Sequence, residues 1–103
     1  MQLTGFNTIL KGLLLAVLLY VSACETAPPV QEMSDARQAI AVAKEAGAAE
    51  HAAFHLKAAE DYLESAQQAL NERSYHEARR DAKHAKMKAL DALKASEESD
   101  QDD

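Results

Sequence analysis

The sequence predicts an all-α chain: an apolar N-terminal helix, then an alanine-rich antiparallel helical hairpin or three-helix arrangement with coiled-coil-like seams. Three observations predict it. Beyond residue 31, small and apolar residues recur at alternating steps of three and four, which lays one narrow stripe along a helix. Helix breakers are nearly absent there, Gly47 being the only Gly or Pro after Pro29. The composition is rich in Ala, Glu, Lys and Leu, with no Trp and few aromatics, which favours helix over sheet.

The first element is residues 1–23. Met1–Lys11 carries one positive charge, Gly12–Val21 is a ten-residue apolar run, and Ser22 and Ala23 are small. Charged, apolar and small regions in that order are the architecture of a secretory signal. Ten helical residues reach roughly 15 Å, about half of a hydrocarbon core near 30 Å, so a permanent membrane span is not expected. Val21-Ser22-Ala23-Cys24 resembles a bacterial lipobox, with Val21, Ser22 and Ala23 as the signal-peptidase recognition residues and Cys24 as the lipidated residue. Small residues before the cut and a thiol to carry the glyceride suit that chemistry, and Cys24 is the only cysteine of the chain. The resemblance implies a covalent lipid (palmitate-type acyl chains) on Cys24 and no other cofactor. Glu25, standing where an aspartate is associated with inner-membrane retention, implies delivery to the outer membrane, facing the periplasm. Several acyl chains hold a protein stably at a bilayer where one does so marginally.

Residues 24–31, with Pro28-Pro29, read as a lipidated, extended tether. The helical domain is expected over 32–96, in segments of about 32–46, 50–70 and 74–96. Met33, Ala36, Ile40, Ala43 and Gly47 form the first seam. Ala52, Leu56, Ala59, Leu63, Ala66 and Leu70 form the second, and Tyr75, Ala78, Ala82, Ala85, Ala89 and Ala92 the third. The step of five from Gly47 to Ala52 predicts a break or sharp bend at 46–50. Ser74 and Glu77 fit a capping box at the start of the third segment. The three-residue connection before it folds the second and third segments back on each other.

Charge is unevenly spread. The second segment has Glu50, Glu60, Asp61 and Glu64 against Lys57; the third has Arg79, Arg80, Lys83, Lys86, Lys88 and Lys94 against Glu77, Asp81 and Asp91. Opposite signs are expected to favour their pairing, although exposed pairs contribute only about 0.2–1 kcal/mol each. Residues 97–103, with five acidic side chains and no apolar one, are expected to form a disordered tail. The terminal Asp102-Asp103 is not the lysine by which murein-linked lipoproteins attach, so that attachment is not expected. A formal charge of −6 and few stacking rings exclude a nucleic-acid partner.

Ala36–Ala48, closing on Glu45-Ala46-Gly47-Ala48, then Leu56-Lys57-Ala58-Ala59, Leu63, Ala66, Ala69-Leu70 and Tyr75-His76-Glu77-Ala78 with Ala82 carry a resemblance to a known family. They are similar to domain-of-unknown-function family 4398, short alanine-rich helical lipoproteins of bacteria, over roughly residues 30–95. Members often begin the second helix with a Tyr-Ala-Pro-like sequence, whereas this chain reads His51-Ala52-Ala53-Phe54. The resemblance implies a helical domain and no catalytic residues.

His51 and His55, at i and i+4, are the candidates for a weak transition-metal site, since one helical face would present both imidazoles. His76-Glu77-Ala78-Arg79-Arg80 lacks the second histidine of a zinc-protease motif. No serine stands in a nucleophile elbow, there is no glycine-rich loop, and a thin helical hairpin has no deep pocket. The chain therefore reads as a membrane-anchored structural or protein-interaction lipoprotein, not an enzyme and without a small-molecule substrate. Weak alanine seams point to self-association or another envelope protein as partner. Metal binding, or electrostatic binding of anionic envelope polymers through Arg79, Arg80, Lys83, Lys86 and Lys88, is the alternative.

Overall fold

A computed structural model describes residues 2–24 and 27–101, with side chains from residue 5 to 16 and from 27 onward. Five helices follow in order: α1 (Gln2–Cys24), α2 (Val30–Glu45), α3 (Ala48–His51), α4 (Ala53–Asn71) and α5 (Tyr75–Gln101). Among the described residues there is no strand, and α1 lies against none of the other helices.

The remaining four build an up-down-up bundle. Arg37 donates to Gln67 at 2.9 Å and Lys44 pairs with Glu60 at 3.0 Å, so α2 and α4 run antiparallel. Ser65 meets Asp81, and Tyr62 meets His84, so α4 and α5 are antiparallel in turn. Arg79 meets Glu32 near the start of α2, while Leu90 and Leu93 lie beside Val42 near its end, so α5 runs parallel to α2. The three predicted seams converge. Met33, Ala36, Ile40 and Ala43 of α2, Leu56, Ala59 and Ala66 of α4, and Ala78, Ala82, Ala85, Ala89 and Ala92 of α5 are all buried. Alanine in most of these places lets the backbones approach closely, and each buried methyl contributes little at about 25 cal/mol per Å². Met33, Ile40 and Leu56 supply the bulk, with Leu63 and Leu70 packed beside them.

The bend foreseen at 46–50 is a double break. Gly47 takes the left-handed conformation (φ 88°), ends α2 by donating to the Lys44 carbonyl at 3.0 Å, and caps α3 with its own carbonyl. Ala52 (φ −146°, ψ 41°) then interrupts the chain a second time, so the segment expected at 50–70 is two helices, α3 and α4. At the other turn α4 closes in a Schellman motif. The amide of Ser74 donates to Ala69 at 2.8 Å and that of Arg73 to Leu70 at 3.0 Å, with Arg73 left-handed at φ 62°. Ser74 then accepts the first bond of α5 from Ala78 at 2.9 Å, the backbone role of an N-cap.

Three expectations are corrected. The tether is shorter than 24–31: α2 begins at Val30, Pro29 is buried, and the Ala27 carbonyl accepts from Arg79 at 3.0 Å. The tail is not disordered from residue 97, because α5 continues through Gln101, while Asp102 and Asp103 lie outside the described residues. The cause is a seam that runs on with serine in place of alanine. Ser96 is fully buried and returns its hydroxyl to the Ala92 carbonyl at 2.9 Å, and Ser99 reaches His51 of α3. Glu97, Glu98 and Asp100 meanwhile keep to the wetter sides of the helix. Finally, opposite charge does not link α4 to α5 through ion pairs. Among the described residues the pairs crossing between helices, Lys44–Glu60 and Arg79–Glu32, both involve α2.

Candidate functional site

Val21, Ser22, Ala23 and Cys24 complete the backbone of α1, and their side chains lie outside the described residues, as does Glu25 altogether. The preceding turns of α1 expose Phe6, Ile9, Leu10, Leu13, Leu14 and Leu15. No described helix is long and apolar enough to cross a membrane. On the bundle side, a clamp that the sequence does not reveal holds the chain directly after residue 26. Arg79, half-buried, donates from Nε to Glu32 at 3.3 Å and from a terminal nitrogen to the Ala27 carbonyl at 3.0 Å. A fork of donors suits such a divided task, and it removes Arg79 from the cationic face expected of it. Arg80 and Lys88 are engaged as well, with Glu77 and Asp91 at 4.0 and 3.9 Å. Lys83 and Lys86 are the exposed cations of that group without an ion pair among the described residues.

The histidines do not share a helical face. His51 closes α3, His55 sits in the first turn of α4, and the Ala52 break separates them. The Nδ1 of His51 is 3.2 Å from the Ser99 hydroxyl. The Nδ1 of His55 is buried without a hydrogen-bond partner, and its ring stands edge-on to Phe54 at 5.7 Å. No group of three or more metal-ligating side chains occurs among the described residues.

Asp81 faces α4 and accepts from the Ser65 hydroxyl at 2.8 Å, with Arg80 Nε 4.0 Å away. One turn along, Tyr62 and His84 meet edge to face at 5.1 Å. No hydrogen bond joins His84 to Ser65 or Asp81 among the described residues, so the serine lacks the base–orienter relay that activates a nucleophile. The pair closes a polar gap in an alanine interface, and no sequence pattern announces it. The hollows of the bundle are open grooves between helices, such as those lined by Lys44, Ala53 and Leu56 or by Ile40, Leu63 and Gln67.

The family described as Domain of unknown function (DUF4398) matches residues 31–103. The chain belongs to this family. The family region thus takes in α2 through α5 and the acidic end of α5, and it begins one residue after α2 does. It is an all-helical domain, with no function attached to it from which catalysis could be read. No curated protein and no solved structure matches the chain.

Proposed function

We propose that the chain is exported, cut before Cys24 and held by a lipid on that residue at the periplasmic face of the outer membrane. There the bundle serves as a structural or protein-interaction module without catalysis. The observation that carries this reading is Val21-Ser22-Ala23-Cys24 at the end of the apolar run, holding the sole cysteine of the chain. The separateness of α1 supports it: a helix with large apolar side chains exposed and no contact with the bundle can be removed without disturbing the fold. The Arg79 clamp supports it further, since it secures the bundle three residues after Cys24 and leaves little slack between anchor and domain. Shallow grooves, and an exposed Ser65 bonded to a buried Asp81 with no histidine joined to either among the described residues, support a role in contact and not in chemistry. Cys24→Ala tests the anchor. It is expected to leave an uncleaved or mislocalised precursor, read by mass and by membrane fractionation. A normally processed, membrane-bound protein from that variant would overturn the reading.

A further inference from the structure

We infer that two copies of this chain associate antiparallel along the exposed face of α5, with the two-fold axis at Leu90. Besides its buried alanine seam, α5 carries a second stripe at steps of four and three: Lys83, Met87, Leu90, Lys94 and Glu97. All five side chains are exposed, with Met87 at 60% and Leu90 at 48%. Beside Leu90 a groove of about 230 Å³ opens between α5 and α2, walled by Ala39, Val42 and Leu93. Val42 is itself 42% exposed, so the apolar strip crosses from one helix to the next. A strip of this kind at the middle of a helix, flanked by charge, is the form of a pairing surface.

The charges select both the occupant and its direction. Lys83 lies seven residues before Leu90 and Glu97 seven after, each about 10 Å along the axis and within roughly 20° of the same face. Turning one α5 end for end about Leu90 therefore sets Lys83 of each copy level with Glu97 of the other, twice by symmetry. Lys86 of each copy comes level with Lys94 of the other, a like-charged pair nearer the axis that exposed lysine side chains relieve by turning to solvent, whereas Lys83 and Glu97 attract. A parallel pairing would instead oppose Lys83 to Lys83 and Glu97 to Glu97, which disfavours it. None of Lys83, Lys86 and Glu97 has an ion pair within its own chain among the described residues, so these charges are open to a partner. A surface that is apolar at its centre and carries opposite charges at equal distances on either side is self-complementary, as a two-fold interface requires. With the two-fold axis along the membrane normal, both tethers reach one bilayer.

This inference rests on reading the bundle as an interaction module and not on the lipid at Cys24. Its test uses the full chain in cells, crosslinked by a short thiol reagent, with the parent chain reporting any product of Cys24 itself. Leu90→Cys is expected to crosslink to itself at twice the chain mass. Lys83→Cys coexpressed with Glu97→Cys is expected to give a mixed dimer that neither variant gives alone. Lys83→Glu, placed in the Leu90→Cys chain, is expected to lower the yield about tenfold, since two attractive pairs become repulsive. Adding Glu97→Lys to it should restore the yield. Both charged positions are exposed, and unchanged circular dichroism of each variant checks that the bundle is intact. Self-crosslinking of Lys83→Cys, crosslinks of Leu90→Cys only to a different protein, or no crosslink in any combination would overturn the inference. Normal processing and membrane attachment of Cys24→Ala with the same crosslink pattern would overturn the anchor reading alone.

Discussion

Two helices of similar length, α1 and α5, invert the usual link between hydrophobicity and burial. α1 is the more apolar, yet Phe6, Ile9, Leu13 and Leu14 are exposed and among the described residues it touches no other helix. α5 is crowded with charge, yet it packs against α2, α3 and α4 and carries the longest buried seam. The difference lies in pattern. A helix that is apolar all round offers no side that fits a narrow bundle, whereas alanine at steps of three and four cuts a smooth groove that other backbones can approach. Helix α1 carries its apolar side chains outside the core, and α5 supplies the core with its longest seam.

The sharpest way to break this contrast is a charge in the α5 seam. Ala85 is fully buried, and Ala85→Asp leaves an uncompensated carboxylate among alanines, at an expected cost of about 3–5 kcal/mol. A small bundle has little stability to spare, so loss of cooperative helicity is the expected result, followed by circular dichroism through thermal or urea unfolding. A native-like melt would mean that the interface opens enough to admit water.

A smaller effect of opposite sign is expected where α5 begins. Arg73 holds a left-handed conformation that costs a side-chain-bearing residue roughly 1–2 kcal/mol, and the Schellman bonds from Arg73 and Ser74 offset it. Arg73→Gly removes that cost and should stabilise the bundle by about 1 kcal/mol, less the added freedom of the unfolded chain. A raised urea midpoint at unchanged slope is the measurement. A lowered midpoint would show that the arginine side chain contributes more than its backbone costs.

The smallest expected effect on the bundle belongs to the same class of change made in α1. Leu14→Asp alters an exposed residue of a helix that packs on no other among the described residues, so the unfolding free energy should change by less than about 0.5 kcal/mol. On the proposed function, the same variant should accumulate as precursor, read by its mass in cell fractions. An unchanged melt with blocked export separates the two helices by role as well as by packing. A shifted melt would mean that α1 belongs to the domain.

Much of the bundle was legible in the residue pattern. The seams of α2, α4 and α5 are buried at most of the positions their spacing predicts, with Leu63, Leu70 and Tyr75 only partly covered, Gly47 ends α2, and Ser74 begins α5. Other features leave no such mark. Ala52 is an ordinary helix former, and its break serves to lay α3 against the end of α5. Ser96 and Ser99 carry the seam into an acidic stretch, but serine is read as polar until its hydroxyl is seen returned to Ala92 or meeting His51. The candidate metal pair fails to share a face for the same reason that α3 exists.

Sequence alone determined the local terms: helix throughout, one buried stripe per helix, and a chain reversal before residue 75. It also determined a leading helix unlike the rest, ending on the only cysteine. Those features depend on residues a few positions apart, whose steric and hydrogen-bonding preferences act within a single turn. Tertiary structure decided what joins distant residues. Examples are the parallel placement of α5 beside α2, the use of Arg79 to hold Ala27, the burial of Asp81 against Ser65, and the ordering of Glu97–Gln101. Each depends on a partner supplied from across the bundle. Spacing along one helix cannot specify which of several exposed groups will find such a partner.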